Sequence, residues 1–397
     1  MKLKIITVLA LTASVTLLGN VNPAASTESK IPDTLVKESC SSIRRGVSYL
    51  LKKQQKDGSW IHHPAVTGLC LMAIKNSGID TPEAKQAIKK GKAFILKFVQ
   101  KDGSIWMKGQ EREYPNYTTA VSLATLAVLG DKGDEPIMRK ARKYLINSQV
   151  TDKKNPNFGG IGYGKSGPGN PDLSNTQWAL EALYLTDYLD KEPNIKNPKD
   201  AKKSEQAWKN AVQFLSKLQH VPETNDQVWV VKDKDDPNYG SFVYKTNESK
   251  ASMKHGIKKG LRGYGSMTYA GLKSMIYARL KKDDPRVKAA VEWGAKHYDL
   301  TQNPGMGSEG HYYYLQAFSK AHAVLGKDAV ITPDGKTHLW RVDLIKELLN
   351  KQKGKGEWYN EKSGRWWESV PELVTSYALL SMETALGSHI TEIETGE

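Results

Sequence analysis

The amino-acid sequence predicts an all-α protein whose helices form an (α/α)6 toroid, a double ring of six outer and six inner helices. One observation is a unit that occurs six times along the 397 residues: an amphipathic stretch, a turn and an apolar stretch. The other is that the apolar stretches need cover on every side, so each unit must pack against its neighbours. Closure into a ring provides that cover, and an open solenoid is the alternative.

The outer helices are predicted from one-sided apolar spacing. Ile43, Val47 and Leu50 follow each other at i, i+4 and i+7, which places them on one face of a helix. The fourth unit repeats this spacing from Ala207 to Leu215. Each outer helix therefore has one buried face and one face in water.

The inner helices are predicted from stretches that are apolar or small on most sides. Several of these stretches start with, or directly follow, Pro, Ser, Thr or Asn, residues favoured at helix N-termini. The six stretches begin near Pro64, Asn116, Asn175, Ser266, His311 and Glu372.

A similar turn joins the two helices of several units. Gly46–Trp60 reads GVSYLLKKQQKDGSW and Gly91–Trp106 reads GKAFILKFVQKDGSIW, so Gln, Lys-Asp-Gly-Ser and Trp follow a helical stretch in both. Repetition at a regular period indicates a repeat architecture. Weaker copies are Ala141–Gln149, Ala211–Gln219 and Leu344–Trp358.

The N-terminus has the pattern of an export signal. Lys2 and Lys4 precede the apolar stretch Ile5–Leu18, and Ala24 and Ser26 give a small-residue cleavage site. We therefore expect an exported protein of the periplasm, cell envelope or extracellular space. The predicted organisation is a signal peptide at 1–26, a linker at 27–39, one toroid at 40–386 with a long loop at 220–265, and a tail at 387–397.

The charge is strongly positive and spread along the chain. Removal of residues 1–26 deletes only Lys2 and Lys4 and lowers the formal net charge from +15 to +13. Such a surface suits peripheral contact with an anionic membrane or an acidic polysaccharide. No nucleic-acid-binding motif is present, so nucleic acid is not an expected partner. Cys70 lies in an apolar stretch, which favours a core thiol over a disulfide with Cys40.

The repeats resemble the prenyltransferase and squalene-oxidase repeat, the QW-type motif of squalene-hopene and oxidosqualene cyclases, over residues 40–386. The first two units carry the resemblance, which implies a terpene-cyclase-like toroid. It also implies that Trp60, Trp106 and Trp358 reinforce the turns by packing. The matching residues are Gly46, Gln54 or Gln55, Gly58 and Trp60, then Gly91, Gln100, Gly103 and Trp106.

The same resemblance locates the expected catalytic acid, and there the sequence departs from the family. Class II cyclases carry D-x-D-D-T at the start of an inner helix, where the middle Asp protonates the substrate. The matching frame here keeps Asp172 but has Ser174 and Asn175 at the two later Asp positions. A literal D-x-D-D run ends at Asp235 and Asp236, within turn-forming residues. Asp172, Asp235 and Asp236 are the candidate catalytic residues, with helix capping and a solvated turn as the competing interpretations.

No metal or cofactor is expected. The zinc site of the protein prenyltransferase branch needs an Asp, a Cys and a His, whereas the two cysteines here lie in the first repeat without such a cluster nearby.

The starts of the inner helices place aromatic and polar side chains at one end of the ring, which predicts a ligand cavity there. Three functions remain open: binding and transformation of an isoprenoid or other apolar ligand, lyase action on an acidic polysaccharide through Arg262, His311, Tyr313 and Arg365, or a non-catalytic envelope scaffold. The partner is accordingly a small molecule or a glycan. The candidate cavity residues are His63, Tyr117, Asn175, Trp178, Tyr264, Tyr269, His311, Tyr313 and Trp367.

Overall fold

The computed structural model describes residues 31–109, 114–164, 170–251 and 260–391. Twelve α-helices occur within these ranges and alternate between outer and inner positions. The outer helices are α1 (Asp33–Lys53), α3 (Pro82–Leu96), α5 (Glu135–Asn147), α7 (Pro198–Lys217), α9 (Pro285–Lys296) and α11 (Trp340–Lys351). The inner helices are α2 (Pro64–Asn76), α4 (Pro115–Leu129), α6 (Leu173–Leu185), α8 (Gly265–Tyr277), α10 (His311–Leu325) and α12 (Pro371–Leu386).

The inner helices form a closed ring. Each of them packs against the inner helix before and after it, and α12 packs against α2. This arrangement confirms the all-α toroid and excludes the open solenoid. The burial pattern gives the reason: every residue of α12 from Leu373 to Glu383 is buried, whereas α1 buries one face that includes Leu35, Ile43 and Leu50.

Five turns are fixed by a glycine in the left-handed region, with φ between +87° and +94°. A Cβ on any of these glycines would lie 1.9–2.5 Å from a backbone oxygen of the next outer helix. Only glycine allows both this conformation and this close approach. The pairs are Gly58 with Lys90, Gly103 with Lys140, Gly159 with Asn210, Gly240 with Ala289, and Gly356 with Arg45.

Two residues after each of these glycines, a buried apolar side chain packs beneath the turn. Its backbone N–H donates to a threonine hydroxyl of the inner helix, as from Trp60 to Thr67 at 3.1 Å. In the second unit Ile105 holds this position, with 2.8 Å to the Thr119 hydroxyl. The expectation that Trp106 anchors the turn is therefore wrong, because Ile105 shifts it by one residue to a half-buried site. The corresponding residues are Trp60, Ile105, Ile161, Phe242 and Trp358.

The structure departs from the predicted organisation at the N-terminal linker and at an added hairpin, and it agrees with the predicted long loop. Helix α1 begins at Asp33, because Leu35 and Val36 are buried, so part of the predicted 27–39 linker is helical. The described parts of 220–265 consist mainly of turns, with short bridges such as Gln219 to Phe242. Strands β1 (Ala329–Ile331) and β2 (Thr337–Leu339) form an antiparallel hairpin that the sequence pattern did not predict.

The predicted signal peptide, 1–26, lies outside the described residues. Within the described ranges, no helix combines the length and apolarity that a membrane span requires. Cys40 and Cys70 are both buried and are not joined by a disulfide.

Candidate functional site

A cavity of about 310 Å³ lies at the end of the ring where the inner helices begin. The N-terminal halves or caps of all six inner helices contribute to its wall, and turn residues complete it. The described lining residues are His63, Val66, Tyr114, Tyr117, Tyr163, Ser174, Trp178, Tyr244, Lys250, Tyr264, Ser266, Met267, Tyr313, Trp366, Trp367, Glu368, Leu373 and Tyr377.

Aromatic side chains dominate this wall, with ten of the eighteen lining residues being Tyr or Trp. Tyr117 meets Trp178 edge to face at a centroid distance of 6.2 Å, and His63 meets Trp367 in the same way at 5.5 Å. Aromatic rings combine a large apolar area with a negative face, so the wall suits apolar or electron-poor groups.

Six of the nine candidate cavity residues lie in the wall, and three do not. Asn175 is turned towards Asp172, Tyr269 is buried among aromatic residues of α10, and His311 bonds the Leu300 carbonyl through Nε2 at 2.8 Å. All three side chains are used in packing between helices or turns. The six in the wall are His63, Tyr117, Trp178, Tyr264, Tyr313 and Trp367.

Asp172 caps α6 from a fully buried position behind the wall. Its Oδ1 accepts the Asn175 N–H at 2.8 Å, and its Oδ2 accepts from the Asn175 amide at 2.7 Å. Burial raises the pKa of Asp172 to about 6, against the opposing effect of hydrogen bonds from Asn175 and Tyr244. The geometry is that of a helix cap, and Tyr244, not Asp172, reaches the cavity.

Ser174 occupies the wall at the place where the cyclase motif has its acid. Its Oγ lies 3.2 Å from the Tyr313 hydroxyl, which also accepts from the Gln177 amide at 3.0 Å. A serine hydroxyl is too weak an acid to protonate an alkene. Ser174 therefore cannot protonate a substrate as the aspartate of the cyclase motif does.

Asp235 and Asp236 lie in a solvated turn and are not part of the described cavity wall. The Asp235 N–H donates to Asp233 at 2.9 Å, and the Asn238 N–H donates to Asp236 at 2.7 Å. Such bonds are typical of aspartate in turns. The structure therefore does not bring either aspartate into the described cavity wall, and the turn is shaped by the side chains of Asp233 and Asp236.

Glu368 is the acidic side chain that sequence reasoning missed. It lines the cavity with 1% exposure. Its Oε1 accepts the Tyr313 N–H at 2.9 Å and its Oε2 accepts from the Asn360 amide at 2.7 Å. Burial raises the pKa of Glu368 to about 7, although these hydrogen bonds oppose the shift. The group can therefore change its protonation state near neutral pH.

The two residues before Glu368 have an unusual backbone. Trp366 and Trp367 have φ of +55° and +66°, which is strained for side chains of this size. Trp366 is 43% exposed at the cavity mouth, and the Arg365 guanidinium lies 4.5 Å from its ring centroid. Through this strained turn, both indoles and the Glu368 carboxyl line the cavity.

A buried charge cluster lies beside Trp178. Glu181 forms ion pairs with Lys273 at 2.5 Å and with Lys320. The two ammonium groups lie 5.5 and 5.9 Å from the Trp178 ring centroid. Burial lowers the pKa of Lys273 to about 8. Burial also opposes ionisation of Glu181, but the two ammonium groups beside it lower the pKa of Glu181 to about 2. This wall of the cavity therefore already faces two cations.

The described residues contain no group of three His, Cys, Asp or Glu side chains that could hold a metal ion.

The backbone resembles solved structures far more clearly than the sequence resembles known sequences. In sequence, the chain matches no family model and no curated protein. An apo variant of the type II terpene cyclase MstE from Scytonema is 13% identical, with a TM-score of 0.52 over 90% of this chain and 99% of that chain. The fold is terpene-cyclase-like.

Two further MstE structures agree with this result. A variant in complex with geranylgeranyl dihydroxybenzoate is 13% identical, covers 89% of this chain and 98% of that chain, and has a TM-score of 0.52. A variant in complex with merosterolic acid A has the same identity and coverage and a TM-score of 0.50. At this identity the likeness establishes the terpene-cyclase-like fold, and function must be argued from the cavity.

Proposed function

We propose that this protein binds an isoprenoid or another apolar ligand in the ring cavity. The observation that carries the proposal is the wall of ten aromatic side chains, supplemented by Val66, Met267 and Leu373. Binding sites for small molecules are concave and mostly apolar, with few polar groups that set orientation. MstE, which shares the fold, is described with geranylgeranyl dihydroxybenzoate as its substrate.

The proposal includes export of the mature protein, on the strength of the N-terminal signal pattern, and a QW-type origin of the turns. It does not include protonation by Ser174. Any transformation of the ligand would have to use another group, so binding without catalysis remains the alternative within this proposal.

A lyase on an acidic polysaccharide would need several cationic side chains in the wall. Among the described lining residues, the one lysine or arginine is Lys250, which forms an ion pair with Glu248. Arg365 pairs with Glu309 at 2.6 Å, and Arg262 is not among the lining residues. We therefore favour an apolar ligand over a polyanion.

Binding can be tested by titrating the purified protein with geranylgeraniol and, separately, with oligogalacturonate, while tryptophan fluorescence is recorded. We expect saturable binding of geranylgeraniol alone. Trp367→Ala removes an aromatic ring from the wall and should weaken binding about tenfold, which corresponds to about 1.4 kcal/mol. Tyr188→Ala, at an exposed tyrosine away from the cavity, is the matched control. Binding of oligogalacturonate without geranylgeraniol would overturn the proposal.

A further inference from the structure

We propose that the ligand carries a positively charged amine or quaternary ammonium group, which lies beside the carboxylate of Glu368 inside the aromatic cavity. This inference rests on the proposed binding function and specifies the chemical class of the ligand.

The first argument is that Glu368 is buried without a counter-ion. Its hydrogen-bond donors, the Asn360 amide and the backbone N–H groups of residues 311–313, are all neutral. Among the described residues, none of the ion pairs involves Glu368, although its side chain is almost fully buried. A buried charge is normally paired or lost by protonation. A cationic ligand in the cavity, which Glu368 lines, would supply the missing partner.

The second argument concerns the other charged groups of the wall. Lys250 forms an ion pair with Glu248, which also pairs with Lys245, and it lies 4.7 Å from the Tyr244 ring centroid. Burial lowers the pKa of His63 to about 4, so this side chain is neutral at physiological pH. Glu368 is therefore the one acidic side chain among the described lining residues, and none of the charged groups named here forms an ion pair with it. The net positive charge of the protein acts mainly from its surface, where salt screens it over about 10 Å.

The third argument is the position of the aromatic rings. Trp367 directly precedes Glu368 in the chain and lines the wall with it, and Tyr313, whose backbone N–H donates to the carboxyl, lines the same wall. The neighbouring Trp366 ring already has the Arg365 guanidinium at 4.5 Å, so it is not counted here. Rings of this kind bind ammonium groups through their negative faces. A further cation is disfavoured at Trp178, because its ring already has two ammonium groups nearby. We therefore place the cation near Glu368 and the apolar chain of the ligand towards Trp178.

The competing explanation is that Glu368 serves only to cap α10. Its carboxyl accepts the Tyr313 N–H, and backbone N–H groups of His311 and Tyr312 also favour its ionised form. A cap and a counter-ion predict different results. Loss of a cap lowers stability and affects charged and neutral ligands alike, whereas loss of a counter-ion weakens only the charged ligand.

The experiment compares two probes with the same isoprenoid chain, geranyltrimethylammonium and geraniol, at pH 8. Both are titrated into the full-length mature protein and followed by tryptophan fluorescence and calorimetry. We expect the ammonium probe to bind at least tenfold more tightly than geraniol. Glu368→Gln should abolish this preference, so that the two probes bind with affinities within twofold of each other. Glu83→Gln, at an exposed site of α3, is the control for loss of one carboxylate.

Each outcome has a defined meaning. Equal binding of both probes to the wild-type protein would overturn this inference and leave the proposed function intact. Binding of neither probe, nor of geranylgeraniol, would overturn both. Should Glu368→Gln fail to fold, Glu368→Asp retains the charge, and we expect it to keep a preference for the ammonium probe. A folded Glu368→Asp protein without that preference would contradict the inference.

Discussion

Gly356 lies against the backbone of Arg45, so that the turn of the last unit contacts the first outer helix. A Cβ on Gly356 would lie 2.5 Å from the Arg45 carbonyl oxygen, and the residue has φ of +93°. We expect backbone strain in Gly356→Ala to lower the free energy of unfolding by about 1–3 kcal/mol. The clash of the new Cβ with the Arg45 carbonyl oxygen should lower it further. Gly354→Ala is the control, because a Cβ there meets no atom within 4 Å. Equal thermal stability of the two variants would show that this contact does not hold the ring closed.

Trp60 and Trp106 should differ in their contribution to stability. The indole of Trp60 is fully buried and donates to the Leu50 carbonyl at 2.8 Å. Trp106 is half-buried and donates to the Ser104 hydroxyl next to it. We expect Trp60→Ala to cost about 3–5 kcal/mol and Trp106→Ala distinctly less. Chemical denaturation measures both, and a larger loss for Trp106→Ala would contradict the assignment of Ile105 as the anchor.

The buried cluster around Glu181 should be highly sensitive to loss of that carboxylate. Glu181→Gln leaves Lys273 without its ion-pair partner and leaves Lys320 near Glu383, whose pKa is raised by burial, and we expect a loss of about 3–5 kcal/mol at pH 7. The folded-state pKa of Lys273 is lowered to about 8, so the unfolded chain binds more protons between pH 8 and the ordinary lysine pKa. Stability from this group therefore rises with pH across that interval. The melting-temperature deficit of Glu181→Gln should shrink between pH 7 and pH 10, and a constant deficit would contradict this account.

Glu368 predicts opposite pH effects on stability and on cation binding. Its folded pKa is raised to about 7, so the stability it contributes is present below the unfolded pKa of glutamate and is lost as the pH rises through 7. Cation binding should instead strengthen over the same interval, because only the ionised form attracts an ammonium group. Calorimetric titrations with geranyltrimethylammonium between pH 5.5 and 8.5 measure this dependence.

Most other titratable groups around Glu368 do not change their protonation state between pH 5.5 and 8.5. His63 on the α2 side is neutral, and burial raises the tyrosine pKa values of α10 and α12. Asp172, with a pKa of about 6, also titrates there. Lys273, beside Trp178, titrates there as well, with a pKa of about 8. The Glu368→Gln series isolates the effect of Glu368, and an unchanged pH profile in that variant would assign the dependence to Asp172 or Lys273 instead.

Squalene should not be cyclised by this protein. In the stretch that resembles the cyclase motif, Ser174 stands at the acid position, and the aspartates that end at Asp236 form a solvated turn. Incubation of the mature protein with squalene and analysis of the products should give unchanged substrate. A hopene-like product that Asp235→Asn or Asp236→Asn abolishes would show that the turn delivers the acid.

The sequence was most informative where burial is one-sided or complete. Helices α2 and α12 were located because their residues are apolar on every side, a property that the ring requires. The turn register was misjudged in the second unit because an inserted Ile105 moves Trp106 out of the anchor position. A tryptophan is conspicuous in a sequence, whereas the buried site accepts Ile, Phe or Trp.

The site was predictable only in part, for a geometric reason. Residues near the start of an inner helix face either the cavity or a neighbouring helix, and the sequence spacing does not separate these cases for Tyr269 or His311. Glu368 gave no signal at all. Its burial results from left-handed backbone at Trp366 and Trp367, a conformation that these residues seldom adopt.

Because the ring is closed, the order of the helices along the chain can be changed without changing which helices are neighbours. Because α1 packs against both α11 and α12, the first and last helices are spatial neighbours. The contacts of a closed ring do not depend on where the chain is cut, provided that a linker joins the original ends. A circularly permuted chain opened at the exposed segment Asp131–Gly133 should therefore assemble the same cavity, because this segment follows the C-terminus of α4, at the end of the ring opposite to the ligand mouth.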